Sequence, residues 1–560
     1  MPFGGIEEVG RNLTAFEYTP KSGKPEILIV DMGVGFPSAD EMPGVDCVIQ
    51  NVEYLAERKD QIVGALVTHG HYDHIGAIPY LLESLGNPTI YTTPLTRGLI
   101  IKRQDDFPHA PKPEIVVISK DDPKQFRLGS FVIDYFHVNH TIPDSVGFFI
   151  RTPAGNVMHT GDFKIDFTPV FDKPADLARI VRLAQEGTNL LMMDSTNATK
   201  PGHVISERKI MENLEEMVKG AKGRVIATTF ASLIERIQHL IYIAAQHNRK
   251  IVVEGHSMRI NVEVCKRLGY LQYAQNVFIS SEEANKLPPQ QVIIMCTGAQ
   301  AEDRAVLARI ANREHRHFHV IPGDTIIFSS SIIPGKERAV QSLKDSLAKQ
   351  GAKIIHSDLM DMHASGHGYS DDIRLLINLV KPDHLMPVHG QFYMMQAVKD
   401  IGLSFGIPEQ KILMTQNGSV VEMTPGRVIV SNHKVPANLV MVDGIGVGDI
   451  GEIVLRDRQV LSKDGMFVII VIIDSQSGKL RLSPDIISRG FVYLREAKEL
   501  LHETRDLVRR IVEKNIRFLG DEAPVIQEEH IRNHLREDVA EFLFKKTERR
   551  PVVLPVVIKV

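Results

Sequence analysis

The sequence predicts a multidomain α/β protein, and three features of the chain carry this prediction. At 560 residues the chain is too long for one ordinary domain, so two to four domains are expected. Up to about residue 200, short apolar runs alternate with turn residues and few helices are expected. From about Glu207, helix-like and strand-like segments alternate, which is typical of a parallel sheet inserted as a second domain.

The individual elements follow from the length and periodicity of the apolar runs. Strands are predicted early in the chain over Glu26–Asp31, Ile62–Val67, Glu114–Ile118 and Ser130–Phe136. In the inserted domain, strands are predicted over Arg224–Thr228 and Lys250–Val253, and helices over Ser232–His247 and Arg259–Leu268. The tail predicts two helices and a final strand, over Arg495–Arg517, Ile526–Phe544 and Pro551–Ile558. This tail is expected to form a small α/β domain.

Composition limits the function classes that fit the chain. Hydrophobic content of 43% and charged content of 24% are typical of a soluble globular protein. The formal net charge is −4, so a nucleic-acid partner would require a local basic groove. The three cysteines form no CxxC pair, which predicts free thiols in a reducing cytosol. No secretory signal is expected, and no apolar run approaches membrane-spanning length.

The run His69-Gly70-His71-Tyr72-Asp73-His74 is the most informative motif. It follows the strand predicted over Ile62–Val67 and precedes an apolar run, Ile75–Leu82, that predicts a helix. In an extended loop His69 and His71 project to the same side, so they can share one metal ion. Asp73 and His74 lie where the chain turns into the helix and can hold a second metal ion. Nitrogen and oxygen ligands of this kind suit zinc.

Two metal ions need more ligands than this loop supplies, and rigid strand ends are the places to find them. Three residues follow strand-like runs: His140, Asp162 and His389. Taken singly, each is more simply explained as a capped loop residue. Together with the histidine-rich loop they predict a two-metal site.

The residues named so far resemble those of the metallo-β-lactamase superfamily. Further matching pieces are Asp31 after a strand and the Thr160-Gly161-Asp162 run. The resemblance implies that His69, His71 and His140 bind one zinc ion. It implies that Asp73, His74 and His389 bind the other, with Asp162 shared between them. A pair of metal ions about 4 Å apart suits in-line attack of water on a phosphodiester, and Asp73 is placed to orient that water.

Over nearly its whole length the chain is similar to the β-CASP nucleases and, among them, to the ribonuclease J family. The segments that carry this resemblance are Asp194–Asn197, Phe230–Ser232, Cys296–Gln300, Ser329–Ser331, His363–Gly368, Asp449–Arg458, Ile487–Tyr493 and Arg549–Pro551. The implied fold is a metallo-β-lactamase αββα sandwich with an inserted β-CASP α/β domain and a small C-terminal α/β domain. The implied domains are residues 1–205 and 351–430 for the sandwich, 206–350 for the insertion, 431–450 for a linker and 451–560 for the C-terminal domain.

The resemblance also implies an activity. It is a zinc-dependent ribonuclease that acts from the 5′ end and also endonucleolytically on single-stranded RNA, in mRNA decay and rRNA maturation. Products carry a 5′ phosphate and a 3′ hydroxyl, and Mn²⁺ or Mg²⁺ are alternatives to zinc. The expected partners are RNA with a 5′ monophosphate, further copies of the chain in a dimer or tetramer, and an RNA-decay complex. The expected location is the cytoplasm, without a membrane.

Residue by residue, Asp194 would orient His367, and His367 would protonate the leaving 3′ oxygen. The segment His363, Ala364, Ser365, Gly366 and His367, together with Ser232, would hold RNA phosphates. Ser232 can also cap a helix, and both roles can hold because a helix cap lies where anions bind. An ordinary turn is the alternative for Ser365-Gly366. Gly44, Asp46 and Asp443 match a calcium site found in some members, although they are also common turn residues.

Some residues depart from the family pattern, which leaves the 5′-end contacts and the balance of exonuclease and endonuclease action open. Tyr72 replaces a common glutamate, His256 replaces a usual arginine, and Leu233 and Glu235 replace polar or basic residues expected near the substrate. A GxGxxG match at Gly446, Gly448 and Gly451 is set aside, because a strand predicted over Glu452–Leu455 follows it where a dinucleotide site needs a helix.

Two other functions fit the same scaffold. One is a hydrolase of small thioesters or lactams, against which the long insertion and the His363–His367 segment argue. The other is a catalytically silent subunit of an RNA-decay complex, against which the complete set of predicted metal ligands argues.

Overall fold

The computed structural model describes residues 1–37, 41–274, 276–302, 304–330, 332, 336–356, 364–444, 446–449, 451–492, 497–516 and 524–560. Within these ranges the chain divides into two compact units. The larger unit comprises Met1–Gly35 and Ile49–Leu439, and the smaller comprises Phe36–Val48 and Val440–Val560. Among the described helices, none combines the length and the apolar character needed to cross a membrane.

The first part of the chain is rich in strands, as its apolar runs predict. Its strands are β1 (Pro2–Gly4), β2 (Leu13–Tyr18), β3 (Glu26–Val30), β4 (Cys47–Gln50), β5 (Ile62–Leu66), β6 (Ile90–Thr92), β7 (Ile115–Val117), β8 (Phe126–Leu128), β9 (Phe131–His137), β10 (Val146–Thr152), β11 (Gly155–His159) and β12 (Leu190–Asp194). Its helices are α1 (Glu53–Ala56), α2 (Tyr72–Ile75), α3 (Ile78–Leu81), α4 (Pro94–Gln104) and α5 (Leu177–Ala184). The helix predicted over Ile75–Leu82 is therefore two short helices, α2 and α3.

The inserted domain alternates helices and strands. Its elements are α6 (Glu207–Gly220), β13 (Val225–Thr228), α7 (Ile234–Gln246), β14 (Lys250–Glu254), α8 (His256–Arg267), α9 (Ser281–Ala284), β15 (Val292–Cys296), α10 (Val306–Ala311), β16 (Thr325–Phe328), α11 (Glu337–Lys349) and β17 (Lys353–Ile355). The strands form a parallel sheet in the order β14-β15-β13-β16-β17. The parallel sheet predicted from the sequence is confirmed.

The larger unit continues with α12 (Ser370–Val380), β18 (Leu385–Val388), α13 (Phe392–Ser404), β19 (Ser419–Thr424) and β20 (Arg427–Lys434). Short 3₁₀ helices lie at Lys59–Gln61, Pro289–Gln291 and Glu409–Lys411.

Two six-stranded sheets form a sandwich, in the orders β1-β2-β3-β5-β6-β7 and β18-β12-β11-β10-β9-β8. Their facing sides share one apolar core, to which Leu28 and Leu66 contribute from one sheet and Phe148 and Met192 from the other. The opposite side of the second sheet packs against α5, α12 and α13. Alternating side chains of each strand thus fill two separate cores.

The smaller unit contains β21 (Leu439–Asp443), β22 (Gly446–Val447), α14 (Glu452–Asp464), β23 (Met466–Ile473), β24 (Asp485–Arg489), α15 (Lys498–Asn515), α16 (Glu528–Thr547) and β25 (Val552–Lys559). The central strand β23 is antiparallel to β24 and parallel to β25. Every second residue of β23 is buried, and these side chains pack against α15 and α16. The predicted small α/β domain is confirmed in its elements.

Three expectations for this region need correction or comment. The strand predicted over Glu452–Leu455 is wrong, because these residues begin helix α14. The GxGxxG glycines still lack a dinucleotide fold, since β21 and β22 pair antiparallel where that fold needs a parallel βαβ unit. The stretch predicted as a linker, residues 431–450, includes the end of β20 and all of β21 and β22.

Candidate metal centre

Strand ends of both sandwich sheets supply the polar side chains of the predicted site. His69 follows β5, His140 follows β9, Asp162 follows β11 and His389 follows β18. His71 precedes α2, which carries Asp73 and His74. The structure brings all of these side chains together in two overlapping groups whose ligand atoms lie within 4.8 Å of one another.

The first group contains His69, His71, His140 and Asp162. His71 Nδ1 lies 3.1 Å from His69 Nε2 and 3.0 Å from His140 Nε2. The Nδ1–H of His140 donates to the carbonyl oxygen of Gly366 at 2.7 Å, so Nε2 of a neutral His140 carries the lone pair. Three ring nitrogens therefore converge on one point.

Burial lowers the pKa of all three histidines in this group, to about 4 for His71. They are therefore neutral near pH 7, with ring nitrogens that lie 3.0 and 3.1 Å apart. Neutral imidazoles clustered in this way are what zinc binds. The first group thus fits a metal ion.

The second group contains Asp73, His74, Asp162 and His389. His74 Nε2 lies 3.2 Å from Asp162 Oδ2, and His389 Nδ1 lies 2.9 Å from Asp162 Oδ1. His389 Nε2 lies 3.4 Å from Asp73 Oδ2, yet it is buried without a hydrogen-bond partner among the described residues. An orphaned buried nitrogen beside two carboxylates fits a second cation.

The carboxylates also govern the protonation of this group. Burial alone would lower the pKa of His74, but Asp162 and Asp31 outweigh it and hold that pKa well above its usual value. The same balance, again led by Asp162, raises the pKa of His389. The position between these side chains thus favours positive charge.

Residues outside the predicted set hold the ligands in place. Asp31 Oδ2 accepts a hydrogen bond from His74 Nδ1 at 2.8 Å, and Asp31 Oδ1 accepts one from the backbone N–H of Thr68. Asn12 Nδ2 lies 3.1 Å from His74 Nε2 and donates to the carbonyl oxygen of Asp73. Carboxylates that orient metal-binding histidines in this way are common in zinc enzymes. The strand-end position of Asp31 was a signal for its role, whereas nothing in the sequence singled out Asn12.

His367 and Asp194 form a pair beside the second group. His367 Nδ1 lies 2.8 Å from Asp194 Oδ2, and Asp194 is the last residue of β12. Burial would lower the pKa of His367, but Asp194 and Asp162 outweigh it and raise that pKa. The ring keeps part of its surface exposed, with 19% of the side chain accessible. A protonated imidazole with Nε2 available is suited to donate a proton.

The segment around His367 also has structural contacts of its own. Ala364 is fully buried, and Ser365 Oγ accepts hydrogen bonds from Asn197 Nδ2 at 2.5 Å and from the backbone N–H of His367 at 3.0 Å. A Cβ atom on Gly366 would lie 2.5 Å from Cε1 of His140, so only glycine allows this close approach. His363 lies outside the described residues.

Ser232 lies in the turn before α7, and the helix cap is Leu233. The interpretation of Ser232 as the helix cap is therefore wrong. Its predicted contact with an RNA phosphate stays a prediction.

The departures from the family pattern lie in different surroundings. Tyr72 is 44% exposed beneath the Arg103 guanidinium and His256 is exposed, whereas Leu233 is buried. Glu235 is also buried, 3.8 Å from the Lys164 ammonium group. Burial raises the pKa of Glu235 to about 8, although Lys164 opposes this. Glu235 thus belongs to an internal ion network and not to an exposed substrate surface.

The three residues of the predicted calcium site lie in the smaller unit, around the side chain of Arg458. The guanidinium donates to Asp443 Oδ2 at 2.7 Å and to the Gly44 carbonyl oxygen at 3.1 Å. Asp46 Oδ2 accepts from the backbone N–H of Gly444 at 2.8 Å. A calcium ion would have to displace this guanidinium, so the calcium site stays a prediction without support from these contacts.

Family models match four parts of the chain. Their descriptions are "Metallo-beta-lactamase superfamily" for residues 25–203, "Ribonuclease J, beta-CASP domain" for 222–347, "Zn-dependent metallo-hydrolase RNA specificity domain" for 355–407 and "Ribonuclease J C-terminal domain" for 453–560. Together with the histidine and aspartate cluster, these matches define a divalent-metal-dependent hydrolase of the metallo-β-lactamase fold with an inserted β-CASP domain.

Curated relatives match the chain end to end. Ribonuclease J2 of Bacillus subtilis (strain 168) is 36% identical over 560 residues, covering 100% of this chain and 98% of that protein. Ribonuclease J 1 of Streptococcus pyogenes serotype M3 is 38% identical over 558 residues, covering 99% of this chain and 96% of that protein. Ribonuclease J of Thermus thermophilus is 37% identical over 565 residues, covering 100% and 95%. The chain belongs to the ribonuclease J family, and it is a metal-dependent ribonuclease that binds RNA.

Proposed function

We propose that this ribonuclease degrades and matures single-stranded RNA from a 5′-monophosphate end, with additional endonuclease activity, and that it uses two zinc ions. The observation that carries the proposal is the convergence of seven predicted ligands in two groups that share Asp162, with the His367–Asp194 pair beside them. A site that holds two cations next to one proton donor suits phosphodiester hydrolysis.

The first zinc ion would be held by His69, His71 and His140, and the second by Asp73, His74 and His389. Asp162 would serve both, since its Oδ2 lies 3.2 Å from His74 Nε2 and 3.7 Å from both His69 Nε2 and His140 Nε2. When bound, these ions would activate a water molecule and stabilise negative charge on the phosphate. Mn²⁺ and Mg²⁺ are alternative ions, and metal analysis of the purified protein would show which ion is bound.

The chain's own groups would carry the proton transfers. The Asp194 carboxylate would accept a hydrogen bond from Nδ1–H of the His367 imidazolium. The Nε2–H group would therefore be free to protonate the departing 3′ oxygen. Asp73 would orient the attacking water, because its side chain is partly exposed while its Oδ2 reaches both His74 and His389. The products would then carry a 5′ phosphate and a 3′ hydroxyl.

Recognition of the 5′ end would involve Ser232 and the segment His363, Ala364, Ser365, Gly366 and His367. The test offers the enzyme otherwise identical RNAs with a 5′ triphosphate, monophosphate or hydroxyl. The monophosphate is expected to react fastest, and equal rates on all three would remove 5′-end recognition. A time course on end-labelled RNA distinguishes mononucleotide release from internal fragments.

A combined Asp73→Ala and His74→Ala variant tests the metal-dependent activity. It should lose turnover and keep RNA binding, because these side chains belong to the second metal group and to no predicted RNA contact. Cleavage of a lactam or thioester by the parent enzyme, in place of RNA, would support the alternative hydrolase. RNA cleavage that persists in the double variant would contradict the ligand assignment.

Further parts of the proposal concern assembly and location. A homodimer or homotetramer is supported by an apolar sheet face in the smaller unit, where Leu554, Val556 and Ile558 are each about 40% exposed. Three buried cysteines without a disulfide support the location of the protein in a reducing cytoplasm. Membership of an RNA-decay complex and the domain boundaries inferred from the sequence stay predictions.

A further inference from the structure

The β-CASP domain has an open cavity of about 660 Å³ at the carboxyl end of strand β14. Its walls come from β14, helix α8 and the segments 278–282 and 309–317, and none of its lining residues belongs to the metal centre. The volume lies within the range of roughly 300–1,000 Å³ typical of small-molecule sites. Ligands of open parallel sheets commonly bind outside the carboxyl ends of the strands.

Four cationic side chains line this cavity: Arg259, Lys266, Arg309 and Arg316. The three acidic side chains of the lining have other partners. Glu254 Oε1 accepts a hydrogen bond from Ser281 Oγ at 2.5 Å, and Glu254 Oε2 lies 3.4 Å from the Arg259 guanidinium. Glu263 forms an ion pair with Arg267. Glu282 Oε1 lies 3.6 Å from His317 Nε2.

Three of the cations are therefore uncompensated. Among the residues that the structure describes, no carboxylate forms an ion pair with Lys266, Arg309 or Arg316. Lys266 Nζ lies over the Phe278 ring, 3.1 Å from its centroid. Three uncompensated cations facing one cavity favour an anionic ligand.

A buried histidine adds a fixed hydrogen-bond donor. The side chain of His315 is only 6% exposed, and its Nδ1 accepts from the backbone N–H groups of His317 and Phe318 at 3.4 and 3.2 Å. The ring proton of the neutral form must therefore lie on Nε2. Within the described part of the chain, the nearest carboxylate oxygen to that nitrogen is Glu254 Oε2 at 3.8 Å, which is too far for a hydrogen bond.

The remaining wall is apolar and includes Val252, Val262, Phe278 and Ile279. A ligand that satisfies this cavity thus needs an anionic group for the cations and an apolar body for the remaining lining. We propose that the cavity is a second binding site of this protein and takes a nucleoside phosphate. Its phosphate contacts Lys266, Arg309 and Arg316, and its base and ribose lie against the apolar wall.

Photolabelling locates the site directly. The metal-loaded full-length protein is irradiated with 8-azidoadenosine 5′-monophosphate, and the labelled peptides are mapped. We expect label in peptides covering 252–282 or 309–317, with protection by excess AMP. Label confined to peptides of the metal centre would overturn the proposal.

Matched variants then test the cations by equilibrium dialysis with radiolabelled AMP. Lys266→Ala and Arg309→Ala each remove a phosphate contact and should weaken binding at this site about tenfold. Lys286→Ala and Arg313→Ala remove neighbouring cations that do not line the cavity and should leave the affinity unchanged. Retained metal content and RNA cleavage in all four variants show that they fold. Equal affinity in the cavity variants and the controls would contradict the assignment.

Competition identifies the ligand class. Unlabelled AMP should protect the cavity peptides from photolabelling at lower concentration than inorganic phosphate or adenosine. Each of these two compounds supplies only half of the contacts that AMP makes. Phosphate competing as well as AMP would exclude the nucleoside. Protection of these peptides by single-stranded RNA and not by AMP would assign the cavity to an RNA path instead.

Discussion

The proton that His367 is proposed to donate makes the chemistry of the site testable in isolation. Removing a general acid lowers turnover by about 10²–10⁴, equivalent to about 3–5 kcal/mol of barrier. We therefore expect His367→Ala to lose that factor on ordinary RNA. Asp194→Asn keeps the imidazole but loses its charged hydrogen bond of 2.8 Å, a loss of about 1.5–3 kcal/mol or roughly 10–150-fold. Combining the two changes should be no worse than His367→Ala alone, since Asp194 acts through His367.

The assay compares normal RNA with RNA in which sulfur replaces the bridging 3′ oxygen at the cleaved linkage. A thiolate leaves without protonation, so this substrate has no use for the acid. Rates of the wild type, the Asp194→Asn variant and the His367→Ala variant should converge to within about tenfold on the sulfur substrate. Metal content is measured in parallel, because Asp194 Oδ1 also lies 3.6 Å from His389 Nδ1. A variant that retains its metal ion but is slowed by the same factor on both substrates would refute the assignment of His367 as the acid.

Three further predictions follow from other contacts of the larger unit. Gly366→Ala places a Cβ atom 2.5 Å from Cε1 of His140 and should weaken retention of the divalent metal ion about 10–100-fold in dialysis against a chelator. Unchanged retention would contradict this contact. Glu235 has a pKa of about 8 in the folded chain against 4.5 for the free group, so folding stability should fall as pH rises from 4.5 to 8. The Glu235→Gln variant should lack that slope in urea titrations at several pH values, and equal slopes would show that Glu235 is ionised when folded. Tyr270→Phe removes a hydroxyl that donates to Asp144, in the loop of His140, and should lower the free energy of unfolding by about 1–2 kcal/mol, while Tyr273→Phe should not.

The candidate ligands could be predicted because their positions depend on local pattern. A buried strand followed by a polar residue recurs at His69, His140, Asp162 and His389, and strand ends are rigid places for side chains. Periodicity fixes which side of the chain each residue faces. The sequence therefore indicated both the sheets and the candidate ligands.

Contacts between distant segments could not be predicted in this way. Asn12 reaches His74 only because β2 and the histidine-rich loop meet in the folded chain. The carbonyl oxygen of Gly366 accepts a hydrogen bond from His140 Nδ1–H across a sequence separation of 226 residues. Neither residue belongs to a type or spacing that marks a support for metal ligands.

Helix α14 shows how a short apolar run can lead to a wrong prediction of a strand. Glu452–Leu455 is too short to separate the strand period from the helix period, and the charged residues that follow continue the helix to Asp464. The burial of Glu235 against Lys164 could not be predicted from the sequence either. Burial of a charge is decided by a partner elsewhere in the chain, which the local sequence does not contain.

Sheet register relates the place of the insertion to the metal centre. Strands β12 and β18 are parallel neighbours in which Asp194 pairs with Val388, so His389 necessarily follows beside Asp194. The insertion follows β12, and the chain reaches β18 only after His367 and α12. Asp194 at the end of β12 and His367 just before α12 thus flank the insertion in sequence, and their hydrogen bond of 2.8 Å joins the end of the strand before the insertion to the start of the helix after it.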